Sequence, residues 1–283
     1  MLGYAGKLLE VDLSKSSFTD TTLPEEWLKD YIGGRALAAK ILSERIIHKW
    51  DTVDPLGPEN ILMFMPGPFT GYFPGGRTCV TGKSTQSNGM VGSTVGGEFG
   101  VELRCAGYDG IIVSGKAEKP VYLFIKDSDM ELRDANGIWG KDSKQTDALL
   151  NKECRKLLTK HYPHIGIWKE PAKLYIGPAG ERKVRTSVVI AKWTHAAGYG
   201  GYGAVMGSKN LKAIAVKGTG PLPEIANIEK IKLMIDEVCK GAYRNIIWRR
   251  WELEQADTIS AQKPALNPSA IGKKNGMTKK ATA

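Results

Sequence analysis

His195-Ala196-Ala197-Gly198-Tyr199-Gly200-Gly201-Tyr202-Gly203-Ala204-Val205-Met206-Gly207 is the stretch on which the reading of this chain turns. Its five glycines leave the backbone free to take positive φ and to approach a ligand closely. Residues 187–192 read as a strand leading in, and residues 212–217 as a strand leading out. A glycine run between two strands can present several backbone N–H groups at once, which suits an anionic or phosphate-bearing ligand. The same letters also describe a tight loop that needs glycine only for its turns.

The stretch has a counterpart earlier in the chain. Ile61-Leu62-Met63-Phe64-Met65-Pro66-Gly67-Pro68 leads to Gly96-Gly97-Glu98-Phe99-Gly100 and then to a strand ending at Gly115. Lys173-Leu174-Tyr175-Ile176-Gly177-Pro178 leads to Gly200-Gly201-Tyr202-Gly203 and then to a strand ending at Gly218. Gly97 to Gly115 spans 18 residues and Gly201 to Gly218 spans 17, so the spacing predicts two similar halves meeting about a pseudo-two-fold axis. Both glycine loops would then reach one ligand.

Around these halves the pattern gives strands at residues 7–13, 17–21, 61–65, 78–81, 109–115, 121–126, 130–134 and 174–176. Helices are expected from Pro24-Glu25-Glu26, with proline and acids in the first turn, then over residues 37–46, 99–106 and 143–158. The expected class is α+β. Residues 1–220 read as one domain and residues 221–262 as the start of a helical one, with periodicity clear over 228–248. A basic tail at 263–283 should be disordered.

Of the net charge of +10, five lysines between 263 and 283 supply +5, and that tail has no Asp or Glu. The remaining 262 residues show no basic stripe interleaved with aromatics, which argues against nucleic acid. No run reaches the ~18 apolar residues of a membrane span. The N-terminus lacks the apolar core of a signal peptide, so a cytoplasmic protein is expected. Cys79, Cys105, Cys154 and Cys239 are far apart, form no Cys-x-x-Cys pair, and read as reduced, mostly buried thiols.

Gly198-x-Gly200-x-x-Gly203 matches the dinucleotide fingerprint in letters, but it leaves too little chain for a crossover helix before the next strand. Gly82-Lys83-Ser84 resembles the end of a phosphate-binding P-loop, yet Arg77 stands where that loop requires glycine. Arg77 itself follows Pro74-Gly75-Gly76, a turn that can present a guanidinium fork to phosphate. His195, at the mouth of the glycine run, is the one histidine placed near a ligand. Glu98, Glu102 and Asp109 read as solvating helix ends. Read from residues alone, the chain is a scaffold for an anionic cofactor, with no nucleophile triad or metal-ligand spacing.

Gly67-Pro68-Phe69-Thr70-Gly71, Gly96-Gly97-Glu98-Phe99-Gly100-Val101-Glu102-Leu103, Ala106-Gly107-Tyr108-Asp109-Gly110, Ile176-Gly177-Pro178-Ala179-Gly180 and Gly207-Ser208-Lys209-Asn210-Leu211-Lys212, in that order, resemble the N-terminal domain of the aldehyde:ferredoxin oxidoreductase family. The resemblance implies a β-rich saddle of two related halves that binds a tungsten or molybdenum bis-pterin cofactor, with a bridging magnesium. It implies aldehyde oxidation, with electrons passing to a [4Fe–4S] cluster and on to ferredoxin or an electron-transfer subunit. By position, Arg77 and Gly96, with Gly97 beside it, would contact pterin. Thr94 and Ala196 would offer backbone carbonyls to magnesium, and Gly198, Gly200 and Gly201 follow in the second loop. His195 and Tyr199 stand where aldehyde-oxidising relatives have arginines. The wording of residues 196–203 is nearer the branch that forms the active-site subunit of benzoyl-CoA reductases. Cluster cysteines of the family's C-terminal domains have no counterpart here, so another polypeptide or further domains would complete the enzyme. A homo-oligomer is compatible with this, and the alternative is a remnant or interaction subunit that binds no metal.

Overall fold

The structure is a computed structural model that describes residues 1–73, 76–165 and 168–244, with the side chains of 241–244 excepted. Residues 1–226 form one compact unit, and the described residues 227–244 belong to a second.

The first half of the compact unit runs β1 (Lys7–Asp12), β2 (Ser17–Thr22), α1 (Glu25–Tyr31), α2 (Gly34–Ile46), β3 (Leu62–Pro66), β4 (Thr78–Thr81), β5 (Ser93–Val95), α3 (Phe99–Cys105) and β6 (Ile111–Ser114). The second half runs β7 (Val121–Lys126), β8 (Asp129–Asp134), α4 (Ser143–His161), β9 (Ala172–Tyr175), α5 (Pro178–Glu181), β10 (Val189–Ala191), β11 (His195–Ala197), α6 (Tyr202–Ser208) and β12 (Leu211–Lys217). The sheets are ordered β2-β1-β6-β3-β4-β5 and β8-β7-β12-β9-β10-β11. Replacing β1 to β6 by β7 to β12 turns one order into the other. In each sheet only the hairpin's first strand and the last strand run parallel, β1 with β6 and β7 with β12. The two halves inferred from spacing are therefore two copies of one topology, in an α+β fold.

Alternation along the strands explains the layering. Leu9, Phe64 and Ile111 of the first sheet meet Leu123, Leu174 and Ile214 of the second in one central core. Their neighbours face outward: Leu8, Met63 and Ile112 pack under α1 and α2, while Tyr122, Tyr175 and Ala213 pack under α4. Strands buried on both faces read as continuous apolar runs, which is why β3, β6 and β12 stood out. Asp142 caps α4 through a reciprocal box with Gln145, its carboxylate accepting the Gln145 N–H at 2.8 Å. The short helices cross over: α3 packs on β9 and β12, and α6 packs on β3. Each half thus fills part of the other's core.

One expectation is corrected. The span after Gly201, read as loop, contains α6, and the residues opening the glycine run form β11. β12 pairs with β9 and β7 and not with β11, so residues 195–217 are not a dinucleotide-binding unit, in line with the sequence reading. Cys79 and Cys154 are buried, Cys105 and Cys239 are half-buried, and all four thiols are free. In the second unit α7 (Ile228–Arg244) is helical, with Leu233 and Val238 exposed. The expected continuation to 248 and the tail at 263–283 lie outside the described residues.

Candidate functional site

β5 and β11 are the outer strands of their sheets, and they lie against each other. In register, Thr94 pairs with Cys79 and Ala196 with Ile190, so both occupy the middle position of equivalent edge strands. The side of each strand turned from its sheet carries backbone polar groups that the sheet does not use. The Tyr199 N–H donates to Ser93 Oγ at 3.0 Å, and the Gly200 N–H donates to Gln86 Oε1 at 2.9 Å. A Cβ on Gly96 would lie 3.6 Å from His195 Nδ1, and one on Gly97 3.8 Å from the Ala191 methyl. The fold thus gathers Thr94, Gly96, Gly97, His195, Ala196, Gly198 and Tyr199 at one seam. His195, Ala196, Gly198 and Tyr199 are exposed there.

The glycine run divides into two kinds. A Cβ on Gly201 would fall 2.0 Å from the Arg185 carbonyl oxygen, and one on Gly207 1.9 Å from that of Gly180. These glycines are required by close backbone approach within the chain. Gly198 has no such requirement: its Cβ would meet nothing within 4 Å and its φ is not positive. The N–H groups of Tyr199, Gly200 and Gly203 are already bonded inside the protein, to Ser93, Gln86 and the Ser187 carbonyl. The run is therefore not the array of free amides that its letters suggest. Gly200 and Gly201 are buried supports, and Gly96 and Gly198 form the open part.

Arg77 is exposed and immediately precedes β4, whose Thr78 pairs with Val95. Arg77 and Gly96 consequently leave the same end of the β4–β5 ladder. Arg77 also lines an open cavity of about 280 Å³ with Gly67, Pro68, Phe69, Thr70 and Phe73. Behind that wall lies Arg104, a residue that sequence reasoning missed and that is 1% exposed. Its guanidinium donates to the carbonyls of Gly3, Pro68 and Thr70, the last at 2.7 Å, and so holds the 67–70 loop in place. Asp109, read as a helix-end solvator, instead accepts the N–H groups of Ala5 and Gly6 at 3.1 and 2.7 Å. Burial pushes its carboxyl upward.

Lys83, in the would-be P-loop, is a buried structural cation whose ammonium donates to the carbonyls of Trp50 and Val53. Among the described residues, no group of three or more His, Cys, Asp or Glu side chains could hold a metal ion.

Residues 8–218 match the family model described as aldehyde ferredoxin oxidoreductase, N-terminal domain. The chain belongs to the aldehyde ferredoxin oxidoreductase family. It is 49% identical over 251 residues to the aliphatic sulfonate oxidoreductase, WOR-like subunit, of Pyrococcus furiosus, covering 89% of this chain and 40% of that one. It is 43% identical over 240 residues to the tungsten-containing aldehyde ferredoxin oxidoreductase of the same organism, covering 84% of this chain and 37% of the relative. Among solved structures it is similar to the active-site complex BamBC of benzoyl coenzyme A reductase with 1,5-dienoyl-CoA. There the TM-score is 0.76 at 35% identity, over 86% of this chain and 36% of that one. The chain thus spans about two-fifths of the length of these curated relatives.

Proposed function

We propose that residues 1–220 are the cofactor-binding domain of a cytoplasmic tungsten- or molybdenum-pterin oxidoreductase of the aldehyde:ferredoxin type. The observation that carries this reading is the meeting of β5 and β11, equivalent edges of the two halves, beside the exposed Arg77 and the open glycines Gly96 and Gly198. The donor set fits an anionic group bridged by a hard cation, which takes oxygen ligands rather than thiolate or imidazole. Thr94 and Ala196 would offer carbonyl oxygens to magnesium, and Arg77 and His195 would face the anionic ends of the cofactor. Gly96, Gly97 and Gly198 would let it approach the backbone, and Tyr199 would border it. When bound, the group would supply two-electron redox chemistry at its metal. This chain would hold and orient it. Ligands for a [4Fe–4S] cluster, and the docking of ferredoxin or another electron carrier, would belong to further domains or to a partner chain.

A second reading is favoured by the likeness to the benzoyl coenzyme A reductase complex and to a sulfonate oxidoreductase subunit. In it the chain serves in an active-site subunit that acts with a partner on a substrate other than a free aldehyde. His195 and Tyr199, in place of arginines, support this variation.

Expression under anaerobic conditions with tungstate, followed by elemental mass spectrometry and fluorescence of the oxidised pterin, tests the common core of both readings. Tungsten or molybdenum with pterin at a fixed ratio to chain is the expected result. A folded chain carrying neither would support the alternative of an interaction subunit without metal.

A further inference from the structure

The seam between the glycine loops is fastened by α3. Glu98, directly after Gly97, is the N-cap residue of α3 and Glu102 follows four residues later, hence on the same side of the helix's first turn. Each takes a lysine from the opposite half: Glu98 Oε1 lies 2.5 Å from Lys192 Nζ, and Glu102 Oε1 lies 2.7 Å from Lys217 Nζ. Glu102 also accepts the Gly218 N–H at 3.0 Å, and this inner pair is almost fully buried. The outer pair is half-exposed and sits at the site itself, and Lys192 holds the Glu98 carboxyl below the usual carboxylate range.

Lys192 and Trp193 form the turn between β10 and β11, with φ of 48° and 49°. Side-chain-bearing residues rarely take this left-handed conformation, and never without support from their surroundings. Here the Trp193 N–H donates to the buried Tyr175 hydroxyl at 2.7 Å, and Lys192 reaches back to Glu98. One end of the ion pair is thus the residue after the first glycine loop. The other end is the turn that delivers His195 and Ala196.

We propose that Glu98 and Lys192 are positioning residues, whose ion pair sets the separation of the two loops and thereby how tightly the cofactor is held. This rests on the cofactor-binding reading above. They touch no cofactor themselves and act through Gly97 and β11. The inner pair, Glu102 with Lys217, anchors the other end of the strut.

The test compares the parent chain with Glu98→Gln, Lys192→Gln and the exchanged pair Glu98→Lys with Lys192→Glu. Amide hydrogen exchange is read without cofactor, and tungsten and pterin content after anaerobic expression. Each single variant should raise exchange at residues 96–97 and 195–197 by about two- to five-fold, the scale of a half-exposed ion pair, with β1 and β7 unchanged. Each should also retain less tungsten and pterin per chain, and the exchanged pair should recover both. Single variants matching a tungsten-bearing parent in both readouts, or an exchanged pair that fails to recover, would overturn the positioning role alone. A parent chain without tungsten or pterin would overturn it together with the reading it rests on.

Discussion

Replacing Gly207 by alanine separates the two kinds of glycine most sharply. The added Cβ would lie 1.9 Å from the Gly180 carbonyl oxygen and 2.6 Å from its carbon, both backbone atoms of α5. Restoring a normal contact requires α6 to move by about 1.3 Å, carrying its own Tyr202, Val205 and Met206, which are 0% exposed, against the packed core around them. Overpacking of that size costs about 3 kcal/mol, the upper end of the usual range, while alanine's better helix propensity returns about 1 kcal/mol. The expected net loss is about 2 kcal/mol. In urea denaturation the midpoint should fall by about 1 M with an unchanged slope. Gly198→Ala, with open space around the new methyl, should stay within about 0.5 kcal/mol of the parent while lowering cofactor retention. A Gly207→Ala chain as stable as the parent, or more so, would refute the packing argument and leave the run as simple turn glycine.

Other consequences concern single side chains. Arg77→Ala should leave stability within about 0.5 kcal/mol but weaken cofactor retention about tenfold or more, measured as pterin remaining after gel filtration. Tyr202→Phe removes the hydroxyl that donates to Gly82 O at 3.1 Å and accepts the Val91 N–H at 3.2 Å, and should destabilise by about 2 kcal/mol in the same denaturation assay. Lys209, 0% exposed, donates to the carbonyls of Pro58 and Gly115 at 3.1 and 3.0 Å, and burial pulls its pKa down to about 7. The unfolded chain, with lysine near ~10.4, binds more protons across that interval. Lys209 should therefore make stability rise from about pH 7 towards 10, by at most about 1.4 kcal/mol per pH unit. Lys209→Met should flatten that rise, and an unchanged pH profile would contradict the assignment.

The duplicated fold was legible because its punctuation survives in both copies. Gly-Pro follows β3 and precedes α5, and Gly-Gly precedes α3 and α6, at nearly equal spacing. α6 was hidden by the glycines at 203 and 207. They lie on one face of the helix so that its backbone can approach Val188 and Gly180. β11 was hidden because three residues carry no periodicity, and its extended form comes from pairing with β10. The buried basic side chains Arg104, Lys83 and Lys209 were illegible for a different reason. Their partners are backbone carbonyls brought from 30 to 151 residues away, and carbonyls have no letter in a sequence. The candidate site lies between these cases. Arg77 and the two glycine loops could be named, but which glycines are open depends on what packs behind each one. The helix-end role first given to Glu98 and Glu102 missed their lysine partners, which come from the far half.

Tungsten's anomalous scattering in crystals of the chain grown from tungstate-supplemented anaerobic cells tests the central claim most directly. The account predicts one tungsten site per chain beside the β5–β11 seam, within reach of a cofactor whose anionic ends meet Arg77, Thr94 and Ala196. A tungsten peak elsewhere, such as the groove between α4 and the β7–β8 hairpin, or a seam filled by the chain's own side chains with no peak, would contradict it.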